Sequence, residues 1–163
     1  MKTKILQKAF LTLTAKFAAF SAITTAYPQN LVAWESNVNG YRLVSQSCNG
    51  GVCDFVFEGS GAVNIMGRVT VTTHVVQDTN ITPCNTGIAD ATFVGATGSV
   101  TYSYTCGTVC PNASHFNQPA TIQGVWNITG GTGQFSGIVG SGSDQGTIAG
   151  NGPNVHSSGV VAY

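Results

Sequence analysis

Arg68, Thr70, Thr72 and His74 stand at every second position, the spacing that puts side chains on one face of a β-strand. Facing a cavity, Arg68 would orient an anion and His74 would serve as a general base. The plainer reading is a solvated face, because Val69, Val71 and Val75 fill the alternate positions and apolar sets usually turn inward. Asp54 and Glu58 likewise share a face with Val56, against Phe55 and Phe57 on the other. Four residues along a strand separate the two carboxylates by roughly 13 Å, too far for the carboxylate pair of a glycoside hydrolase. Glu58 then has two readings. It is an ion-pair partner of Arg42 or Arg68, or a lone cavity carboxyl whose raised proton affinity would suit isomerisation.

Other chemistries find no support. No G-x-S-x-G motif supplies a nucleophile elbow. Gly131-Thr132-Gly133 and Gly140-Ser141-Gly142 are similar to dinucleotide loops, but the third glycine is misplaced and no helix pattern follows, so no cofactor is expected. His74, His115 and His156 lie far apart without metal-ligand spacing. Asn80, Asn112 and Asn127 head glycosylation sequons, of which Asn127 falls within a strand pattern. What remains is apolar. Phe93, Tyr102, Tyr104, Trp126 and Phe135 would line a ligand cavity with few polar groups. Arg68, His74, Glu58 and Tyr102 are the residues to watch for chemistry.

The elements that must carry these residues are strands. Tyr41 to Ser47 and Cys53 to Gly59 read as a hairpin around a glycine turn, after a short leader from Tyr27 to Asn39. Arg68 to Gln77 has the clearest alternation. Ala89 to Val94 and Ser99 to Thr105 make a second hairpin, with Val100, Tyr102 and Tyr104 on one face. Thr121 to Thr129 places Ile122, Trp126 and Ile128 together, and runs into the glycine-dense segment Gly130 to Gly137. Phe135 to Val139, a strand around Thr147 to Ala149, and Val155 to Tyr163 complete the set. About eight short strands at even spacing predict an all-β closed antiparallel barrel or a sandwich.

Residues 1–26 read as a secretory signal, with Lys2, Lys4 and Lys8 ahead of an apolar stretch from Ala9 to Ile23. Export to a secreted or cell-surface location is therefore expected, with residues 27–163 forming a single domain. All four lysines lie in that segment, leaving two arginines against six carboxylates, a net charge of −4. A lysine-free surface cannot track phosphates, which excludes nucleic acid and anionic membrane as partners. Five cysteines in an exported chain point to disulfides. Cys48 and Cys53 flank a turn, and Cys84 with Cys110 is the favoured second pair over pairings with Cys106. Cys84, Cys106, Cys110 and His115 would make a zinc set, but export favours oxidation, so no metal is expected.

Gly130-Gly131-Thr132-Gly133-Gln134-Phe135-Ser136-Gly137, followed by Gly140, resembles the G-G-[ST]-G-x-F-x-G-x-x-G hairpin of plant allene oxide cyclases. Dirigent proteins carry a shorter version. Phe93 to Thr101 resembles the glycine hairpin that precedes it in the cyclases. Gly59-Ser60-Gly61 with Gly67-Arg68-Val69-Thr70 is similar to a segment of uncharacterised secreted bacterial proteins of this barrel type. The likeness spans residues 40–163, with its motifs in 93–101 and 130–142. It implies a calycin-like eight-stranded barrel with an apolar cavity, often assembled as a dimer or trimer. In the cyclases that cavity binds an unstable epoxide and directs ring closure. Their catalytic glutamate and water-holding residues lie in segments whose motifs this chain lacks, so no catalytic residue carries across.

Three functions follow. The barrel binds a small apolar ligand unchanged, or acts as a cyclase or isomerase by confining a reactive substrate, or is a structural or cell-surface protein. The interior discriminates among them. A filled barrel favours the structural reading, and an open apolar one favours the first two. One buried carboxylate beside the opening favours catalysis.

Overall fold

The computed structural model describes residues 30–80, 85–110, 120–149 and 152–163. Eight strands follow one another around a closed barrel: β1 Leu31–Asn49, β2 Val52–Val63, β3 Gly67–Asp78, β4 Asn85–Gly95, β5 Gly98–Cys110, β6 Ala120–Gly131, β7 Val139–Ala149 and β8 Gly152–Ala162. Every neighbouring pair is antiparallel, including β8 with β1, so no strand edge is left open. The all-β closed barrel expected from the alternation is the observed fold.

Alternation decides what faces inward. In β3, Val69, Val71 and Thr73 are buried while Arg68, Thr70, Thr72 and His74 are exposed. In β5 and β6, Val100, Tyr102, Trp126 and Ile128 turn inward. The β1–β2 connection is a two-residue turn, Gly50-Gly51, with φ of 58° and 84°. Positive φ at both positions is the primed-turn geometry that matches strand twist, and only glycine adopts it freely. Beside it, Cys48 and Cys53 are directly opposed and joined in a disulfide. The Cys84–Cys110 pairing depends on Cys84, which lies outside the described residues, as do residues 1–26 and His115.

Two expectations are corrected. Residues 31–39 are not a leader but the first half of β1, and they bury Trp34, Ser36 and Val38. Their polar neighbours Glu35, Asn37 and Asn39 point outward, which masks the alternation. Phe135 to Val139 is not a strand either. Gly133–Phe135 forms a 3₁₀ turn, and an unbroken β7 then runs from Val139 to Ala149. Its inward positions include Gly140, Gly142 and Gly146, which carry no hydrophobic signal to read.

Those glycines make room. Gly142 of β7 pairs with Gly159 of β8. A Cβ on Gly159 would lie 2.7 Å from Trp126 Cζ2, and one on Gly142 would also collide with the indole. Two adjacent strands thus give up side chains so that one tryptophan can fill the barrel.

Candidate functional site

The interior divides along the barrel axis. Towards the end that holds the 3₁₀ turn, Trp34, Phe93, Trp126 and Phe135 are fully buried. Trp34 meets Phe93 at 5.5 Å and Trp126 at 5.8 Å between ring centroids, and Tyr102 stacks on Trp126 at 5.1 Å. Contacts of this kind leave no room for a ligand.

A polar belt crosses the middle. Ser36 of β1 pairs in register with Ser157 of β8, and Ser157 with Asp144 of β7. All three are buried, Asp144 being only 1% exposed. Asp144 Oδ2 accepts hydrogen bonds from Tyr102 Oη at 3.0 Å and from Tyr104 Oη. Tyr102 Oη also lies 3.2 Å from Ser157 Oγ. Asp144 Oδ1 is buried without a hydrogen-bond partner among the described residues. Burial raises the Asp144 pKa above its ordinary value, opposed by the hydrogen bonds of Ser157, Tyr104 and Tyr102 and by the charge of His156. Burial also pushes Tyr41 up to about 12, and holds Tyr102 and Tyr104 well above the usual phenol range.

Beyond the belt lies a cavity of about 230 Å³, to which all eight strands contribute. Its walls are apolar: Phe55 and Phe57 from β2, Val75 from β3, Ile122 from β6, Ile148 from β7 and Val155 from β8. Its few polar groups include the hydroxyls of Tyr41, Thr73 and Tyr104. Tyr41 reaches it because β1 carries a register shift between Asn39 and Arg42, where Gly40 has φ 63°. That extra residue turns both Val38 and Tyr41 inward. Tyr104 links the two features, since it lines the cavity and hydrogen-bonds the belt.

The candidates from sequence are distributed unevenly over this arrangement. Tyr104 lines the cavity, and Tyr102 stands in the belt. Phe93, Trp126 and Phe135 are locked into the packed half. Arg68, His74 and Glu58 are on the outer face and are not brought together with the cavity. Glu58 forms an exposed ion pair with Arg42 at 2.9 Å, one of the two partners its position allowed. His74 Nε2 lies 2.9 Å from Asp54 Oδ1, also exposed. Asp144 and Ser157 escaped notice. An aspartate among Gly and Ser reads as turn, although its even spacing from Gly142 and Gly146 put it on the inward face. Among the described residues no cluster of His, Cys, Asp and Glu could hold a metal ion.

No family model, no curated protein and no solved structure matches the chain.

Proposed function

We propose that the chain is an exported binding protein that holds one compact apolar molecule in the open half of its barrel. The observation that carries this is the cavity itself, walled mainly by apolar side chains with a few polar groups among them. Its 230 Å³ exceeds the ~150 Å³ void that accepts benzene and falls short of the ~300–1,000 Å³ of drug-sized sites. The fitting ligand is therefore small, about one ring with substituents. The basic-apolar segment at residues 1–26 and the Cys48–Cys53 bond support export, because disulfides persist in oxidising compartments. The eight-strand antiparallel barrel is also the architecture implied by the likeness to the allene oxide cyclases, and it supports a kinship with them.

Native mass spectrometry of the protein secreted by its own host tests the reading. A discrete extra mass, released by organic solvent, is the expected result. Empty protein running as large polydisperse assemblies would instead favour a structural role.

One observation favours a second reading, a cyclase or isomerase. A lone buried carboxyl with raised proton affinity stands behind the cavity, joined to it through the Tyr104 hydroxyl. Asp144 is set back from the lining residues, so a proton would have to pass by way of Tyr104. Turnover would show as two isomeric forms of the bound molecule, one extracted from the wild-type protein and the other from Asp144→Asn.

A further inference from the structure

The charges around the cavity are one-sided. Every arginine and histidine among the described residues (Arg42, Arg68, His74 and His156) is exposed on the outer face. Among the described residues Asp144 is the only buried ionisable acid or base apart from the tyrosines and the disulfide-bonded Cys53. Tyr102 and Tyr104 both donate their hydroxyl protons to Asp144 Oδ2, and Tyr104 also lines the cavity. Asp144 Oδ1 takes no donor from the described residues. Near the inner end Asp144 can thus carry a negative charge that no buried cation among the described residues offsets, with the unpartnered Thr73 hydroxyl also in the lining.

The walls carry the same sign. Tyr41 and Phe57 meet edge to face at 6.5 Å, and Phe55 stacks on Phe57 at 6.0 Å. The faces of such rings are the negative part of their quadrupole and attract cations. A carboxylate acting across a low-dielectric interior does not need to touch a cation to attract it.

From this arrangement we infer that the cavity's ligand is a compact lipophilic amine, bound as its ammonium ion with the nitrogen at the Tyr104–Asp144 end. The inference rests on the cavity being a binding site and adds the class of molecule that it takes. The apolar body replaces water against Phe55, Phe57 and Val75. The ammonium supplies the positive charge that the inner end lacks. Burial of Asp144 alone disfavours its charge, and a bound cation restores it. An anion would meet the Asp144 charge with no buried cation among the described residues to offset it.

Three probes of similar size and different polarity decide the matter: benzylamine, benzyl alcohol and toluene, titrated calorimetrically at neutral pH. Benzylamine should bind wild-type protein at least about tenfold more tightly than either neutral probe. Asp144→Asn should remove that preference and leave toluene affinity unchanged. A pH series on the wild-type protein gives the same answer without that variant, should the substitution prevent folding. Benzylamine affinity should fall as acid protonates Asp144, while toluene affinity stays level. Tyr41, Tyr102 and Tyr104 keep their protons throughout that range and Ser157 does not titrate. The charge of His156 also acts on Asp144 from the outer face, so the series is repeated on His156→Gln, where the fall in benzylamine affinity should persist. Equal affinity for benzylamine and a neutral probe would overturn the amine assignment while leaving the cavity as a binding site. Failure of all three probes to bind would overturn the binding reading as well.

Discussion

The closed and open halves of this barrel are built from the same eight strands, yet they treat their aromatic residues in opposite ways. In the closed half, Trp34, Phe93, Trp126 and Phe135 are wholly buried, Trp34 meeting Phe93 and Trp126, and Phe135 meeting Tyr163. The β6–β7 connection folds back as a 3₁₀ turn, which buries Phe135 and is followed by the buried Ile138. In the open half, Phe55 and Phe57 are only part-buried and enclose space. The Ser36–Ser157–Asp144 belt runs between the halves. Packing and open space are thus divided along the barrel axis. One half supplies the packing that holds the strands closed, which frees the other to keep a cavity.

The largest effect should come from breaking the packed half. Trp126→Ala removes the indole around which Gly142 and Gly159 are shaped, and should cost about 3–5 kcal/mol in urea unfolding. Phe57→Ala, in the cavity wall, should cost closer to 1 kcal/mol, because its ring already has one open side. The order should reverse for ligand affinity, with Phe57→Ala weakening it and Trp126→Ala acting only through stability. Equal unfolding costs at the two sites would end the division.

A smaller effect should mark the belt. Asp144 has its folded-state pKa raised, so the native protein binds a proton more readily there than the unfolded chain does. The resulting penalty is full above the folded-state pKa and disappears as pH falls below the unfolded value. Melting temperatures of wild type and Asp144→Asn should therefore diverge towards neutral pH, with the variant the more stable, and converge on acidification. A wild type more stable than the variant near neutral pH, losing that advantage on acidification, would show that Asp144 is held as a stabilising carboxylate, contrary to the unpartnered Oδ1.

How far the two halves were legible follows from what marks each in the chain. The packed half announces itself through Val69 and Val71 in β3, and through Trp126 and Ile128 in β6, where apolar residues alternate with polar ones. The open half has the same alternation at Phe55 and Phe57, but whether such residues meet or stand apart depends on strand register and barrel width. Neither can be read from one strand. The belt was the least legible part. Asp144 is inward because Gly142 and Gly146 are, and Tyr102, which bonds both Asp144 and Ser157, lies 42 residues from the one and 55 from the other in the chain. Conversely, Arg68, His74 and Glu58 have the right chemistry and the wrong face. Their strands turn Val69, Val71 and Phe57 inward, and a one-residue slip would be needed to exchange them.

Glu58 gives the finest test of the division, because it is joined to Phe57 in the chain and separated from the cavity by the thickness of one sheet. Its partner Arg42 is 74% exposed and Glu58 itself 52%, so solvent screens their attraction on both sides. Exposed pairs of this kind contribute little, and Glu58→Gln should alter unfolding free energy by less than about 0.5 kcal/mol. Ligand affinity should not change at all, since the side chain lies on the face opposite the cavity wall. The pairing is checked by a double-mutant cycle with Arg42→Ala, in which the coupling should shrink as salt is added. Affinity measured on the same variants bears on the larger question. A several-fold loss in Glu58→Gln would mean that the outer face sets the position of Phe57, and the open half would then depend on its surface charges as much as on its lining.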